Sequence, residues 1–167
     1  SSADTSRVFL LGNGEVHWAS KDSGKTYSAV SPNLQFTEVK PHPTAAELLL
    51  ASSMSAKCHS AEASGYCYKN LFISKDFGAT WKFLTYYVVQ FDWAHNLAPE
   101  QADGLPVDCI FATLFDRKVG NQRFGFWDAG VNFVRTDDLF ETQRTLVRHG
   151  NRFLFTAKYL FVARVNP

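Results

Sequence analysis

Two stretches of eight residues constrain what this 167-residue chain can fold into. Ser20-Lys21-Asp22-Ser23-Gly24-Lys25-Thr26-Tyr27 and Ser74-Lys75-Asp76-Phe77-Gly78-Ala79-Thr80-Trp81 both spell Ser-Lys-Asp-x-Gly-x-Thr-aromatic. Their aspartates stand 76 − 22 = 54 residues apart, and six matched positions in eight mark an internal repeat. Each octet lies between apolar runs and reads as a tight turn between two strands. Asp22 and Asp76 are placed to accept hydrogen bonds from the backbone of their own turns. Gly24 and Gly78 supply a positive φ without a steric cost. Ser20, Ser74, Thr26 and Thr80 offer short-range hydrogen bonds, and Tyr27 and Trp81 can fold back as apolar anchors. A third, degenerate copy is expected at residues 135–142, with Asp137 as its aspartate, 61 residues after Asp76 and without the glycine or the aromatic end.

Between these turns the chain reads as short strands at residues 8–11, 15–19, 26–30, 36–39, 47–51 and 66–74. Further strands are expected at 81–84, 86–91, 107–113, 131–135, 145–147, 152–155 and 159–162, and no helix of normal length. Residues 52–65 and 94–106 are polar excursions, read as loop insertions. A repeat of 54 to 61 residues built of short strands predicts an all-β fold, each repeat being one four-stranded β-propeller blade lengthened by insertions. Blade-like repeats fall roughly over residues 1–40, 41–95 and 96–167. Three blades make only an arc, since a closed ring takes about four or more. The chain is therefore expected to be about three four-stranded blades of a larger propeller.

Composition excludes some partners. Seventeen basic residues against sixteen acidic ones leave a net charge of +1, and no basic block or stripe stands out, which argues against nucleic acid. No apolar run reaches the ~18 residues of a membrane span. The first residue is Ser1 rather than Met, so the native start and any targeting segment are expected to have been removed.

Cys58 and Cys67 flank a short stretch of small and polar residues, a loop that a disulfide closes easily. Such a bridge implies an oxidising compartment, while three reduced thiols is the alternative. Cys109, inside an apolar run, reads as a buried free thiol or one bonded outside this chain.

The octets match the Asp-box, or BNR repeat, of sialidases and other propeller proteins. Several further pieces resemble the Vps10 domain of the sortilin family, in the family's order: Lys40-Pro41-His42-Pro43-Thr44 before a leucine-rich strand, "LFISKDFGATW" over 71–81, and Val89-Gln90-Phe91-Asp92-Trp93. "FVRTDDLF" at 133–140 and "NRFLF" at 151–155 complete the resemblance, which spans nearly the whole chain. It implies a type I membrane receptor with a ten-bladed lumenal propeller that carries peptide or protein cargo between Golgi, endosomes and lysosome-like organelles. The remaining blades of that receptor are then its other partners, and the membrane is reached only through a segment absent here. Val88-Val89 stands where some relatives carry a cysteine, so that disulfide is not implied for this chain. The arginine that anchors a ligand carboxylate in the family would fall at or beyond the end of the chain, and Arg164 is not assigned to it.

No catalytic, cofactor or metal residue is expected. The octet aspartates are occupied by their own turns. His17, His42, His59, His95 and His149 are scattered, and His59 beside Cys58 lacks zinc-site spacing. The competing reading is an Asp-box glycoside hydrolase or sialidase-like fragment. It would draw on Asp92, Asp103, Asp108 and Asp128, or on Arg117, Arg123, Arg135, Arg144, Arg148, Arg152 and Arg164, none in a sialidase-type context. A purely structural assembly propeller is a third reading. For a binding protein, the excursions at 52–65 and 94–106 are the loops expected to reach cargo, or else idle solvated loops.

Overall fold

The computed structural model describes residues 6–30, 32–55, 58, 68–115, 130–156 and 158–164. The chain divides into two compact units, residues 1–85 and 86–167, each built from antiparallel strands.

In the first unit, β1 (Val8–Leu10), β2 (His17–Ser20) and β3 (Ser28–Val30) form a three-stranded sheet with β2 in the middle. The first octet is the β2–β3 turn. A second ladder runs β4 (Phe36–Pro41), β5 (Leu49–Met54), β6 (Lys69–Ser74), then the opening residues of β7 (Lys82–Trp93). The second octet is the β6–β7 turn. The run Leu48-Leu49-Leu50-Ala51 does not alternate with polar residues, and β5 is buried on both faces: Leu49, Leu50 and Ala51 have no solvent exposure. An aromatic chain links the two sheets. His17 stacks on Phe36 at 4.8 Å, Phe36 meets Trp81 at 4.5 Å, and Phe9 reaches Trp81 and Phe77 edge-on. Ring pairs of this kind add about 0.5–1.5 kcal/mol each beyond the area they bury.

In the second unit the later residues of β7 pair with β8 (Ile110–Phe115), which pairs with β9 (Val131–Thr136), which pairs with β10 (Arg144–Arg148). The β9–β10 turn falls where the third octet was expected. A hairpin of β11 (Gly150–Phe155) and β12 (Leu160–Arg164) follows. Its inner face meets a core of Ala94, Cys109, Phe111, Phe133 and Phe153. Gly150 permits that approach, since a Cβ there would lie 2.8 Å from Phe133 Cβ. The fold is nearly all β, with two four-stranded ladders, a three-stranded sheet and a hairpin among the described residues, the content of partial propeller blades.

Three sequence expectations are corrected. The strands expected at 81–84 and 86–91 are one strand, β7, in which Tyr87 takes a φ of +63° and a bulge falls between Val88 and Gln90. The excursion expected from residue 52 begins later, because β5 runs on to Met54 with Ser52 and Ser53 buried. Small hydroxyl side chains fit a close-packed sheet when bonded, and Ser52 Oγ lies 2.8 Å from Thr37 Oγ1. Beyond Ser55 only Cys58 of that excursion lies within the described residues. The excursion at 94–106 is not wholly a solvated loop: it holds a 3-10 turn (Ala94–Asn96) and a one-turn helix α1 (Pro99–Ala102), and Leu97 and Leu105 pack on the core.

Candidate functional site

The three octet turns are the most elaborate polar constructions among the described residues. In the first, Asp22 Oδ1 accepts from Ser20 Oγ (2.7 Å) and Thr26 N (2.9 Å), while Oδ2 accepts from Thr26 Oγ1 (2.6 Å). Gly24 N donates to Ser20 Oγ at 2.9 Å. The second repeats this bond for bond: Ser74 Oγ and Thr80 N on Asp76 Oδ1 at 2.8 Å each, Thr80 Oγ1 on Oδ2 at 2.6 Å, and Gly78 N on Ser74 Oγ at 2.7 Å. Two successive residues take positive φ in both, Ser23 and Gly24 in one and Phe77 and Gly78 in the other. The first of each pair donates its N–H to another segment of the unit, Ser23 to Ser6 O and Phe77 to Glu47 O, so each turn also clips the lead-in to a strand. The aromatic ends fold back on their turns. Trp81 Nε1 donates to Gly78 O at 3.0 Å, and the Tyr27 hydroxyl sits 2.9 Å from where a Gly24 Cβ would stand.

The third turn corrects the sequence register. Asp138, not Asp137, holds it: Thr136 Oγ1 donates to Asp138 Oδ1, Thr142 N donates to the carboxylate, and Thr142 Oγ1 donates to Oδ2 at 2.6 Å. The turn needs a hydroxyl two residues before the aspartate and a threonine four after it. Thr136 and Thr142 satisfy this for Asp138, whereas Asp137 has Arg135 and Glu141 at those offsets. Asp137 instead takes a two-pronged pair with Arg135, Nε and Nη2 each at 2.8 Å. In this register Thr142 fills the threonine position, and Phe140 occupies the glycine position at a φ of +68°.

These bonds set the charge state. Hydrogen bonds from the Thr26 hydroxyl, the Thr26 amide and Ser20 bring the Asp22 carboxyl down to about 2. For Asp76 burial pushes the other way, but the Thr80 and Ser74 bonds outweigh it and hold the carboxyl below its ordinary value. Asp138 is lowered chiefly by the Thr142 hydroxyl, and Asp137 by Arg135. A carboxylate this strongly held is a poor proton acceptor near neutral pH, and its oxygens are committed to the turn. An open cleft of 560 Å³ in the first unit is lined by residues of both turns, including Asp22 and Asp76, and those carboxylates face it already hydrogen-bonded.

Several of the remaining candidates take structural roles, while Arg144, Arg148, Arg152 and Arg164 are exposed. His17 is fully buried: Nδ1 accepts from Gly12 N at 3.2 Å, leaving Nε2–H to donate to Leu34 O at 3.0 Å. His42, equally buried, accepts Thr44 N and Ala45 N on Nδ1, which makes it the cap of the Pro-rich turn. Asp92 Oδ1 accepts from Trp93 N and Asn96 Nδ2, closing the 3-10 turn. Asp103 ends α1, its N–H bonded to Pro99 O. Cys109 is a free thiol without solvent exposure, and burial, aided by Asp137, pushes it up to about 12. His59, Cys67, Arg117, Arg123 and Asp128 lie outside the described residues. No group of three or more His, Cys, Asp or Glu side chains among the described residues is arranged to hold a metal. A contact missed at the sequence level is Gln90, whose amide donates to Phe153 O (2.7 Å) and accepts from Phe153 N (3.0 Å), pinning β11 to β7.

Antiparallel ladders, each closed by an aspartate-locked turn, define a repeat protein of the Asp-box propeller class. Within that class, the Sortilin-Vps10 family model (sortilin, neurotensin receptor 3) matches residues 1–167, and the chain belongs to this family. No curated protein matches the chain. Among solved structures it is similar to the crystal structure of an ancestral GH74 enzyme, with a TM-score of 0.39 and 13% identity, over 92% of this chain and 26% of that one. The chain thus spans about a quarter of that structure's length.

Proposed function

We propose that this chain is part of the ligand-binding propeller of a sortilin-like type I transmembrane receptor. On this reading it lies on the lumenal side of the secretory and endosomal system and takes up peptide or protein cargo for traffic between Golgi, endosomes and lysosome-type organelles. The family match over residues 1–167 carries the reading. The turn geometry supports it from the other side, because the octet aspartates are committed to structure. A glycoside hydrolase needs two carboxylates facing each other at about 5–9.5 Å across a cleft. Asp92 and Asp103 instead sit on either side of the 94–102 helical segment as parts of its turns. No enzymatic step and no cofactor is assigned.

On the same reading the blade-like repeats run roughly over 1–40, 41–95 and 96–167, supported by one Asp-turn falling within each range. The remaining blades are supplied by polypeptide outside this chain. A Cys58–Cys67 disulfide is part of the proposal, supported by Cys109 rather than Cys58 being the free cysteine among the described residues. A non-reducing peptide map should join the two peptides, and their recovery as separate thiols would remove the bridge.

The deciding experiment isolates the complete protein carrying this chain from crosslinked Golgi and endosomal membranes. Lumenal proteins or peptides should co-purify and be lost when the lumenal region is deleted. A protein that captures none of them, yet hydrolyses glycosides, would overturn the reading.

A further inference from the structure

Among the described residues, every residue other than glycine that holds a positive φ falls at one of two places in the repeat. Ser23, Phe77, Leu139 and Phe140 belong to the Asp-turns, one or two positions after Asp22, Asp76 and Asp138. The others are Asn33, Tyr87 and His149, at φ of +56°, +63° and +60°. Each of these stands 11 positions after the aspartate of its own turn. Counted from Asp137, His149 would stand at 12, so the spacing selects Asp138 a second time. Asparagine, tyrosine and histidine share no chemistry that asks for this backbone, and a bulky residue such as tyrosine avoids it. What the three share is position in the repeat.

They also share surroundings. Each separates the strand that leaves an Asp-turn from the first strand of the next ladder: β3 from β4 at Asn33, the opening of β7 from its later part at Tyr87, and β10 from β11 at His149. Each first strand then bulges near its start, between Phe36 and Glu38, Val88 and Gln90, and Gly150 and Arg152. Aligned on these bulges, β11 is level with β4 and the later part of β7, and β12 with β5 and β8. Gln90 agrees with that alignment. Its amide takes both backbone groups of Phe153, so the edge of β11 away from β12 is held by a side chain of the preceding first strand and not by another strand.

We propose that the left-handed residue 11 positions past each aspartate, with the bulge behind it, is the crossover that hands the chain from the last strand of one blade to the first strand of the next. The blades are then bounded at Asn33, Tyr87 and His149, more sharply than the rough ranges above. β11 and β12 become the first two strands of a fourth blade. Among the described residues β12 pairs only with β11. The partner for its other edge is the third strand of that blade, antiparallel and supplied by downstream polypeptide of the same protein. Stacked repeats bury the faces they turn to their neighbours, which accounts for the apolar Leu154 and Phe161 on the hairpin face opposite Phe153 and Val162. The inference rests on the propeller reading and adds the blade boundaries to it.

The test uses the complete protein. Asn33 is exposed, so Asn33→Gly removes backbone strain at the loss of few contacts and should hold or raise the melting temperature. Asn33→Val should lower it by about 2–4 °C. Tyr87→Val and His149→Val should lower it likewise, whereas Arg148→Val, one position before a crossover on an exposed strand site, should not. Equal melting of the two Asn33 variants, or of His149→Val and Arg148→Val, overturns the crossover role. Residue-resolved hydrogen exchange reads the fourth blade. With strands on both sides of β12, the amides from Leu160 to Arg164 should all exchange slowly, and rapid exchange at alternate positions overturns its assignment. If that edge proves open while native cargo is still captured, this inference fails and the receptor reading stands. If no cargo is captured either, both fail.

Discussion

At Gly78 a φ of +91° coincides with a neighbour too close for any side chain, because a Cβ would stand 2.5 Å from Phe9 Cε2. Gly78→Val should therefore cost about 1–3 kcal/mol by overpacking alone, more with the backbone strain, and Asp76→Asn about 1 kcal/mol through the Thr80 bond it weakens. Denaturant melts of the whole protein should show both losses, with cargo affinity of the surviving folded fraction unchanged; a selective loss of binding would return the turn to the functional site. The third turn offers the reverse experiment. Leu139 and Phe140 both hold positive φ without glycine, at +58° and +68°. An L-residue there costs about 1–2 kcal/mol, so Phe140→Gly should raise the melting temperature unless the lost phenyl contacts exceed that strain. This position also shows where sequence reading slips. The first two turns were legible as self-bonded aspartate turns because Ser, Asp, Gly and Thr all act within seven residues of chain. With the glycine replaced and two aspartates adjacent, spelling alone favoured Asp137, and only the hydroxyl geometry selects Asp138.

At the scale of elements, strand positions followed from apolar runs bounded by turn residues, and ends shifted by a few residues where pairing continued past the pattern. β7 departs most. Its bulge and the positive φ of Tyr87 keep one strand going through a point that reads as a break, because ladder bonds to neighbours distant in sequence hold it. Gln90 belongs here as well. Its amide meets both backbone groups of Phe153, 63 residues away, and no local pattern announces such a pair. Gln90→Glu replaces the donor facing Phe153 O with a carboxylate oxygen, which should cost about 1–3 kcal/mol. Hydrogen exchange should localise the loss to β11, and unchanged protection there would show that the core contacts of Phe153 suffice.

Over the whole molecule, the lowered aspartates set a pH profile. Asp22 titrates at about 2 in the folded chain, against about 4 when unfolded. A depressed carboxyl contributes stability that is complete above the unfolded value and is lost as pH falls from about 4 toward 2. Asp76 and Asp138 shift the same way. Melting temperatures should therefore hold between pH 7 and 5, the range a lumenal receptor would meet, and drop only below about pH 4; a fall already at pH 5 would mean that groups other than these aspartates control acid stability.

Sequence alone determined the repeat, the all-β class, the locking chemistry of two turns and, through a chain-long resemblance, the family. Each of these rests on residues near one another in the chain or on a pattern repeated along it. Tertiary structure decided which aspartate closes the third turn, how far β5 and β7 extend, that 94–106 folds onto the core, and that Gln90 pins β11. Those depend on partners dozens of residues away, whose pairing energy outweighs local preference and leaves no mark at the position itself.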